Sequence, residues 1–236
     1  MTLKCFTFVR RADGVSLNDF GEVWRDWHAR WLGGTDELRC HVARCELNLR
    51  LMADAQRQRG RGEVADSGFD GVEVLWFDSL HELEALHTAP RWGDALAAAT
   101  FTDSASVSTV THEPDVIIDT ERRREAEVKL LSIFRRSSNL DLSTFHEHWR
   151  SHHGGLFRNV AELNQFVVGY DQNHSIAAPG LEFDGVTEQW FASLDSFAQF
   201  VASPAHHNTV EPDVAYFLDP ANIHFLLAEP QTIVID

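Results

Sequence analysis

Two histidines at matching places in this 236-residue chain, His28 and His153, are suited to proton transfer near neutral pH. An unperturbed imidazole titrates at about 6.5. Each ends an apolar stripe: Phe20, Trp24 and His28 stand at i, i+4 and i+8 with Leu17 and Trp31, and Phe145, Trp149, His153 and Leu156 repeat the pattern. At the rim of an aromatic pocket such a ring could take or give a proton. The competing role is to satisfy the last carbonyls of its helix. Tyr170, Asn173 and His174 cluster at a strand end. With side chains alternating, Tyr170 and His174 share a face and Asn173 points the other way. If that face lines the pocket, Tyr170 and His174 are natural orienting or acid/base partners of His153; otherwise they serve edge hydrogen bonding. Arg10 and Arg135, at strand ends, could bind a carboxylate or enolate, or pair with Glu22 and Glu147. Trp24 and Trp149 read first as core and second as pocket wall.

The run His146–His153 invites a metal reading, since His148 and His152 are four apart. They lie off the apolar stripe, and the first copy has Val23 and Trp27 in their places. The expectation is therefore no metal and a solvated, titrating face, with His206 and His207 in a loop. Cys5, Cys40 and Cys45 form no CxxC pair and no even disulfide set, so they read as reduced and packing. Cys40 and Cys45 are expected in one strand, on opposite faces.

The elements that must position these side chains occur twice. Phe8–Leu49 lies over Ile133–His174 without a gap at an offset of 125, with identities at Arg10/Arg135, Arg11/Arg136, Phe20/Phe145, Trp24/Trp149, His28/His153 and Asn48/Asn173. Phe69-Asp70-Gly71-Val72 with Trp76-Phe77 returns as Phe183-Asp184-Gly185-Val186 with Trp190-Phe191. Periodicity predicts a strand at Lys4–Arg10, a helix capped by Ser16, strands at Leu38–Asn48 and through the FDGV motif, a helix capped by Ser79, and a last strand at Ala105–His112. The second copy predicts the same, with caps at Asp141 and Ser193 and strands at Lys129–Arg135, Leu163–Asn173 and Ala221–Ala228. The order βαββαβ leaves one apolar face of each sheet bare, which a second sheet can cover. The fold class is thus α+β, two fused ferredoxin-like units, residues 1–120 and 121–236, forming an intramolecular dimeric α/β barrel. Met52–Ser67, polar and Gly-rich, reads as a loop insertion in the first copy.

A net charge of −16 disfavours a nucleic-acid partner. The basic run Arg122–Arg124, between Glu121 and Glu125, reads as a solvated hinge. Mean hydropathy is −0.24, with no apolar run near 18 residues, so no membrane role is expected. No signal-like segment leads into Met1–Cys5, and the default compartment is the cytoplasm.

These motifs resemble the EthD family of dimeric α/β-barrel proteins. The second copy carries the resemblance best, through Arg135, Phe145, Trp149, His153, Tyr170, Asn173, His174, Asp184-Gly185, Trp190-Phe191 and an Asp213-x3-Phe217 segment. The first copy departs from it, with Cys45 and Leu49 where the second has Tyr170 and His174. The resemblance implies a pocket between sheet and helices in each half, and chemistry without a cofactor. The expected function is acid/base catalysis (lyase or dehydratase, isomerase or cyclase) on an aromatic, polyketide-derived or lactone-like small molecule. His153 would carry the proton, Tyr170 or His174 would orient it, and Arg135 would hold an anionic group. His28, Arg10, Trp24 and Trp149 complete the candidate set. The alternatives are a non-catalytic small-molecule-binding or stress-related barrel, or a haem-binding two-lobed barrel. The fused chain is expected as a monomer or homodimer.

Overall fold

The computed structural model describes residues 2–34, 36–51, 68–103, 106–176 and 183–233, so the insertion at Met52–Ser67 lies outside the described residues. The chain divides into two compact units, Met1–Glu113 with Pro230–Asp236, and Pro114–Glu229.

The first unit runs β1 (Leu3–Val9), α1 (Leu17–Trp31), α2 (Asp36–Arg39), β2 (Arg44–Arg50), β3 (Gly71–Phe77), α3 (Leu80–Thr88), α4 (Pro90–Ala98) and β4 (Val107–His112). Its strands pair antiparallel in the order β4-β1-β3-β2, the ferredoxin-like arrangement. The caps act as their residue types dictate. Ser16 Oγ accepts the Asp19 N–H at 3.1 Å, and Ser79 Oγ accepts the Glu82 N–H at 3.3 Å.

The second unit opens with β5 (Asp115–Asp119) and a 3-10 turn at Glu121–Glu125. It continues as β6 (Val128–Arg136), α5 (Leu142–Glu147), a π-helical segment His148–His153, α6 (Gly154–Asn159), α7 (Ala161–Asn164), β7 (Val167–His174) and β8 (Gly185–Phe191). It closes with α8 (Leu194–Ala202), a second π-helical segment His206–Val210, α9 (Glu211–Phe217) and β9 (Leu218–Ile233). Strand order here is β9-β6-β8-β7-β5. Asp141 and Ser193 cap as expected, accepting the Thr144 N–H at 2.7 Å and the Ser196 N–H at 3.1 Å.

The Asp-Gly of the repeated motif has a packing cause. Trp24 lies on Gly71 and Trp149 on Gly185, so close that a Cβ on either glycine would stand 2.5 Å from the indole Cζ3. Asp70 and Asp184 meanwhile accept the backbone N–H of Arg11 and Arg136, at 3.0 and 2.8 Å, and pair with the same residues' guanidinium groups. The motif thus ties β3 to β1, and β8 to β6, beneath a tryptophan. Phe134, Phe145, Trp149, Phe217 and Leu218 form the core of the second unit on that side.

Several expectations are corrected. Strand β2 begins at Arg44 and β7 at Val167, because α2 and α7 take Leu38 and Leu163 and bury both on a single helical turn. Cys40 therefore stands outside any strand, and it is exposed. The apolar stripes end on Leu32 and Phe157, four residues past the histidines, rather than on Trp31 and Leu156. His206 and His207 belong to a π-helical segment, not a loop. Strand β5, at a stretch where no strand is expected, pairs with β7.

The basic linker is not wholly solvated either. Arg123 lies over the Trp190 ring at 3.7 Å and bonds both Asp171 oxygens at 3.0 and 2.5 Å, while Arg122 and Arg124 are exposed. Gly169 makes this docking possible, since a Cβ there would stand 2.8 Å from Arg123 Cδ. In the first unit the corresponding residue is Arg44, which stacks on Trp76 itself at 4.6 Å.

Candidate acid/base site

His153 closes the π-helical segment and is buried. Its Nδ1–H donates to Asp213 Oδ2 at 2.7 Å, and its ring contacts Phe157, Tyr170 and Phe217 with centroids 5.3, 6.4 and 5.1 Å away. Burial pushes its pKa below the ordinary histidine value; Asp213 pulls the other way and does not prevail. The ring is therefore neutral at pH 7. With the proton on Nδ1, the Nε2 lone pair is left as a base. Asp213 comes from α9, 60 residues on. Burial raises its pKa, but the bonds from His153 and His148 outweigh that and hold it below the usual carboxylate range.

Tyr170 is fully buried on β7. Its hydroxyl accepts the Trp149 Nε1–H at 3.3 Å and an N–H of the Gln172 amide at 3.0 Å, and also bonds Thr187. Burial raises its pKa, so it is a neutral phenol. Gln172 also donates to Trp149 O at 2.8 Å. His174, on the same face, packs on Trp149 at 4.4 Å and on His146 at 4.6 Å, with Nε2 3.2 Å from Asp115 Oδ2. Asn173 points the other way, donating to Val186 O and Glu188 Oε2, each at 3.0 Å.

The structure thus brings His153, Tyr170, His174 and Trp149 into one layer between β7 and the helices. The orienting partner of His153 is Asp213, not Tyr170 or His174, whose bonds run elsewhere. The sequence pointed to the Asp213-x3-Phe217 segment but gave the carboxylate no role. One signal was present: Ala97 stands 116 residues before Asp213, at the same offset as the last strands, so the acid is peculiar to the second copy. Gln172 was missed as well.

Arg135 does not pair with Glu147, which accepts the Ser151 hydroxyl instead. Its guanidinium lies over Phe183 at 5.6 Å, as that of Arg10 lies over Phe69 at 5.6 Å. The neighbouring arginines, Arg11 and Arg136, pair with Asp70 and Asp184. Trp24 and Trp149 are core residues, at 2% and 1% exposure.

The first unit handles its histidine differently. His28 is fully buried, its Nδ1–H donating to Trp24 O at 2.8 Å and its Nε2 lying 2.8 Å from Glu73 Oε2. Both nitrogens are committed, so no lone pair remains for a substrate. Cys45 replaces Tyr170 in that layer. Burial, with Glu73 nearby, pushes the Cys5 thiol up to about 12 and raises Cys45 too, so neither supplies a thiolate. Among the described residues no helix is long and apolar enough to cross a membrane.

No curated protein matches the chain significantly. Among solved structures, an anthrone oxidase-like protein aligns over 99% of this chain and 93% of its own, at 9% identity and a TM-score of 0.68. A candidate monooxygenase from Lactobacillus acidophilus aligns over 100% and 99% at 13% identity and 0.51. A candidate chlorite dismutase aligns over 97% and 94% at 9% identity and 0.51. At such identities the likeness is one of fold, shared across both units rather than one. The family model described as the EthD domain matches residues 137–221, the stretch that contains His153, Tyr170, His174 and Asp213. That match covers the greater part of the second unit, which is thus similar to EthD domains.

Proposed function

We propose that the second unit binds an aromatic, polyketide-derived or lactone-like small molecule and removes a proton from it without a cofactor, with His153 Nε2 as the base. One observation carries the reading: a buried carboxylate holds Nδ1–H and so leaves Nε2 as a lone pair in an aromatic layer. The same arrangement orients the catalytic imidazole in acyl-transfer triads. Asp213 stabilises the imidazolium formed on proton transfer, and the neutral Tyr170 hydroxyl can hydrogen-bond the anion left on the substrate. Loss of a leaving group then gives a dehydratase or lyase, return of the proton elsewhere an isomerase, and attack on an internal carbonyl a cyclase.

The test is turnover and solvent-deuterium exchange with hydroxyanthrone and lactone substrates, comparing the native chain with His153→Ala. Loss of both activities with native circular dichroism supports the reading. Full activity in the variant would sink it, and unaltered ligand affinity without any turnover in the native chain would favour a binding protein.

The likeness to an anthrone oxidase-like protein favours one further fate of the carbanion. It could pass its electrons to dioxygen, the methylene becoming a carbonyl as one oxygen atom enters it and the other leaves as water. Oxygen uptake during turnover separates that outcome from the others. His153, with Nε2 uncommitted and Nδ1–H on a carboxylate, would also be the residue to ligate a haem iron. A Soret band in the purified chain would replace the acid/base reading.

A further inference from the structure

The other oxygen of Asp213 serves a second pair of imidazoles. His148 Nε2 lies 2.7 Å and His152 Nε2 3.5 Å from Asp213 Oδ1, and the three ligand atoms lie within 4.8 Å of one another. We propose that His148, His152 and Asp213 form a site for a divalent first-row metal ion, zinc(II) or cobalt(II), with its remaining coordination positions open to solvent.

The donor set is right for such ions: two imidazole nitrogens and one carboxylate oxygen, with no thiolate. Ligand bonds of about 2.0–2.2 Å in a tetrahedron hold ligand atoms roughly 3.3–3.6 Å apart. The His152 separation from Oδ1, 3.5 Å, already fits, and the His148 separation, 2.7 Å, must open by under about 1 Å for a cation to replace the intervening proton. Two of the ligands are already held in place. Asp213 is 6% exposed and anchored through Oδ2 by His153, the outer bond that orients a metal-binding carboxylate. The His148 ring packs on Tyr216 at 4.9 Å and Phe217 at 5.2 Å. The His152 side chain, 60% exposed, supplies the solvent-facing side.

The backbone gives an independent sign. In the first unit the corresponding helix, α1, runs unbroken from Leu17 to Trp31 with Val23 and Trp27 at these positions. In the second it turns π-helical over His148–His153, and a second π-helical segment leads into α9, which delivers Asp213. Such segments are rare and concentrate at functional sites. The sequence argument against a metal was that the pair lies off the apolar stripe. That flank is where α9 packs, and α9 brings the carboxylate.

This goes beyond the acid/base reading, which needs only Oδ2 and His153. The two can fail separately: His148→Ala/His152→Ala removes two metal ligands and keeps the base, while His153→Ala removes the base and keeps all three ligands.

The test is calorimetric titration of the full metal-free chain with zinc(II), and the visible spectrum of the chain loaded with cobalt(II). One saturable site per chain is expected, weakened at least about tenfold by His152→Ala and abolished in the His148/His152 double variant. His152 is exposed enough for its replacement to spare the fold. His206, His207 and Glu211 form another group of ligand type, but Glu211 is 52% exposed and unanchored, so His207→Ala should leave binding unchanged. Undiminished binding in the double variant, loss of binding in His207→Ala, or no saturation below about 1 mM would overturn the proposal.

Discussion

Replacing Asp213 by alanine removes the acceptor of two short hydrogen bonds at once. The bond from His153 Nδ1 is 2.7 Å long between side chains 8% and 6% exposed. Water cannot easily take its place, and a hydrogen bond to a charged group under those conditions is worth about 1.5–3 kcal/mol. The bond from His148 is equally short, but that ring is 19% exposed and can turn to solvent, so about 0.5–1 kcal/mol is lost. The 3.5 Å contact from His152 lies on a ring that is 60% exposed and contributes little. The total is about 2–4 kcal/mol. Urea unfolding of the native chain, Asp213→Ala, His153→Ala and the double variant isolates the buried pair, with an expected coupling of about 1.5–3 kcal/mol. Nitrogen-15 NMR of the imidazoles gives the second readout: native His153 should carry its proton on Nδ1, and Asp213→Ala should release it to both tautomers. A coupling below about 0.5 kcal/mol, or a native Nε2–H tautomer, would refute the reasoning.

Three further outcomes are expected. Gly185→Ala sets a methyl 2.5 Å from Trp149 Cζ3 and 3.0 Å from Phe134 Cε2, and overpacking of that kind should cost about 1–3 kcal/mol in a urea titration. Arg123→Ala should cost about 1–3 kcal/mol through its lost bonds to Asp171 and stack on Trp190, while Arg122→Ala and Arg124→Ala, both exposed, should stay within about 0.5 kcal/mol. Asp141 has its pKa lowered by the Thr144 backbone N–H and the Ser143 hydroxyl, so its cap stabilises the folded state above the unfolded value of about 3.9 and is lost as pH falls through the lower folded value. Asp141→Asn keeps a capping oxygen, and unfolding midpoints measured from pH 6 down to 2.5 should be flatter for the variant on the acid side.

The signals legible in the sequence are those that act over a few residues. Ser16, Ser79, Asp141 and Ser193 each cap the helix they precede, because the bond joins residues three apart. The strands around FDGV were readable from β-branched and aromatic residues, and the offset of 125 predicted that one unit occurs twice. Alternation along β7 placed Tyr170 and His174 on one face and Asn173 on the other. A single turn of helix was enough to defeat the same reasoning at Leu38 and Leu163, where an apolar residue serves a short helix as well as a strand.

His28 and His153 look alike in sequence, each four residues beyond a tryptophan on the same stripe. Tertiary structure decides their different fates, because each ring bonds whatever a distant segment brings to it: Glu73 from β3, 45 residues on, or Asp213 from α9, 60 residues on. The same is true of Arg123, which docks because a glycine at 169 leaves room on Trp190. The sequence by itself determined the repeat, the element types and the residues able to move a proton. Which histidine keeps a free lone pair, and which carboxylate it shares with two more imidazoles, was decided only by long-range packing, since no local pattern encodes a partner delivered by another element.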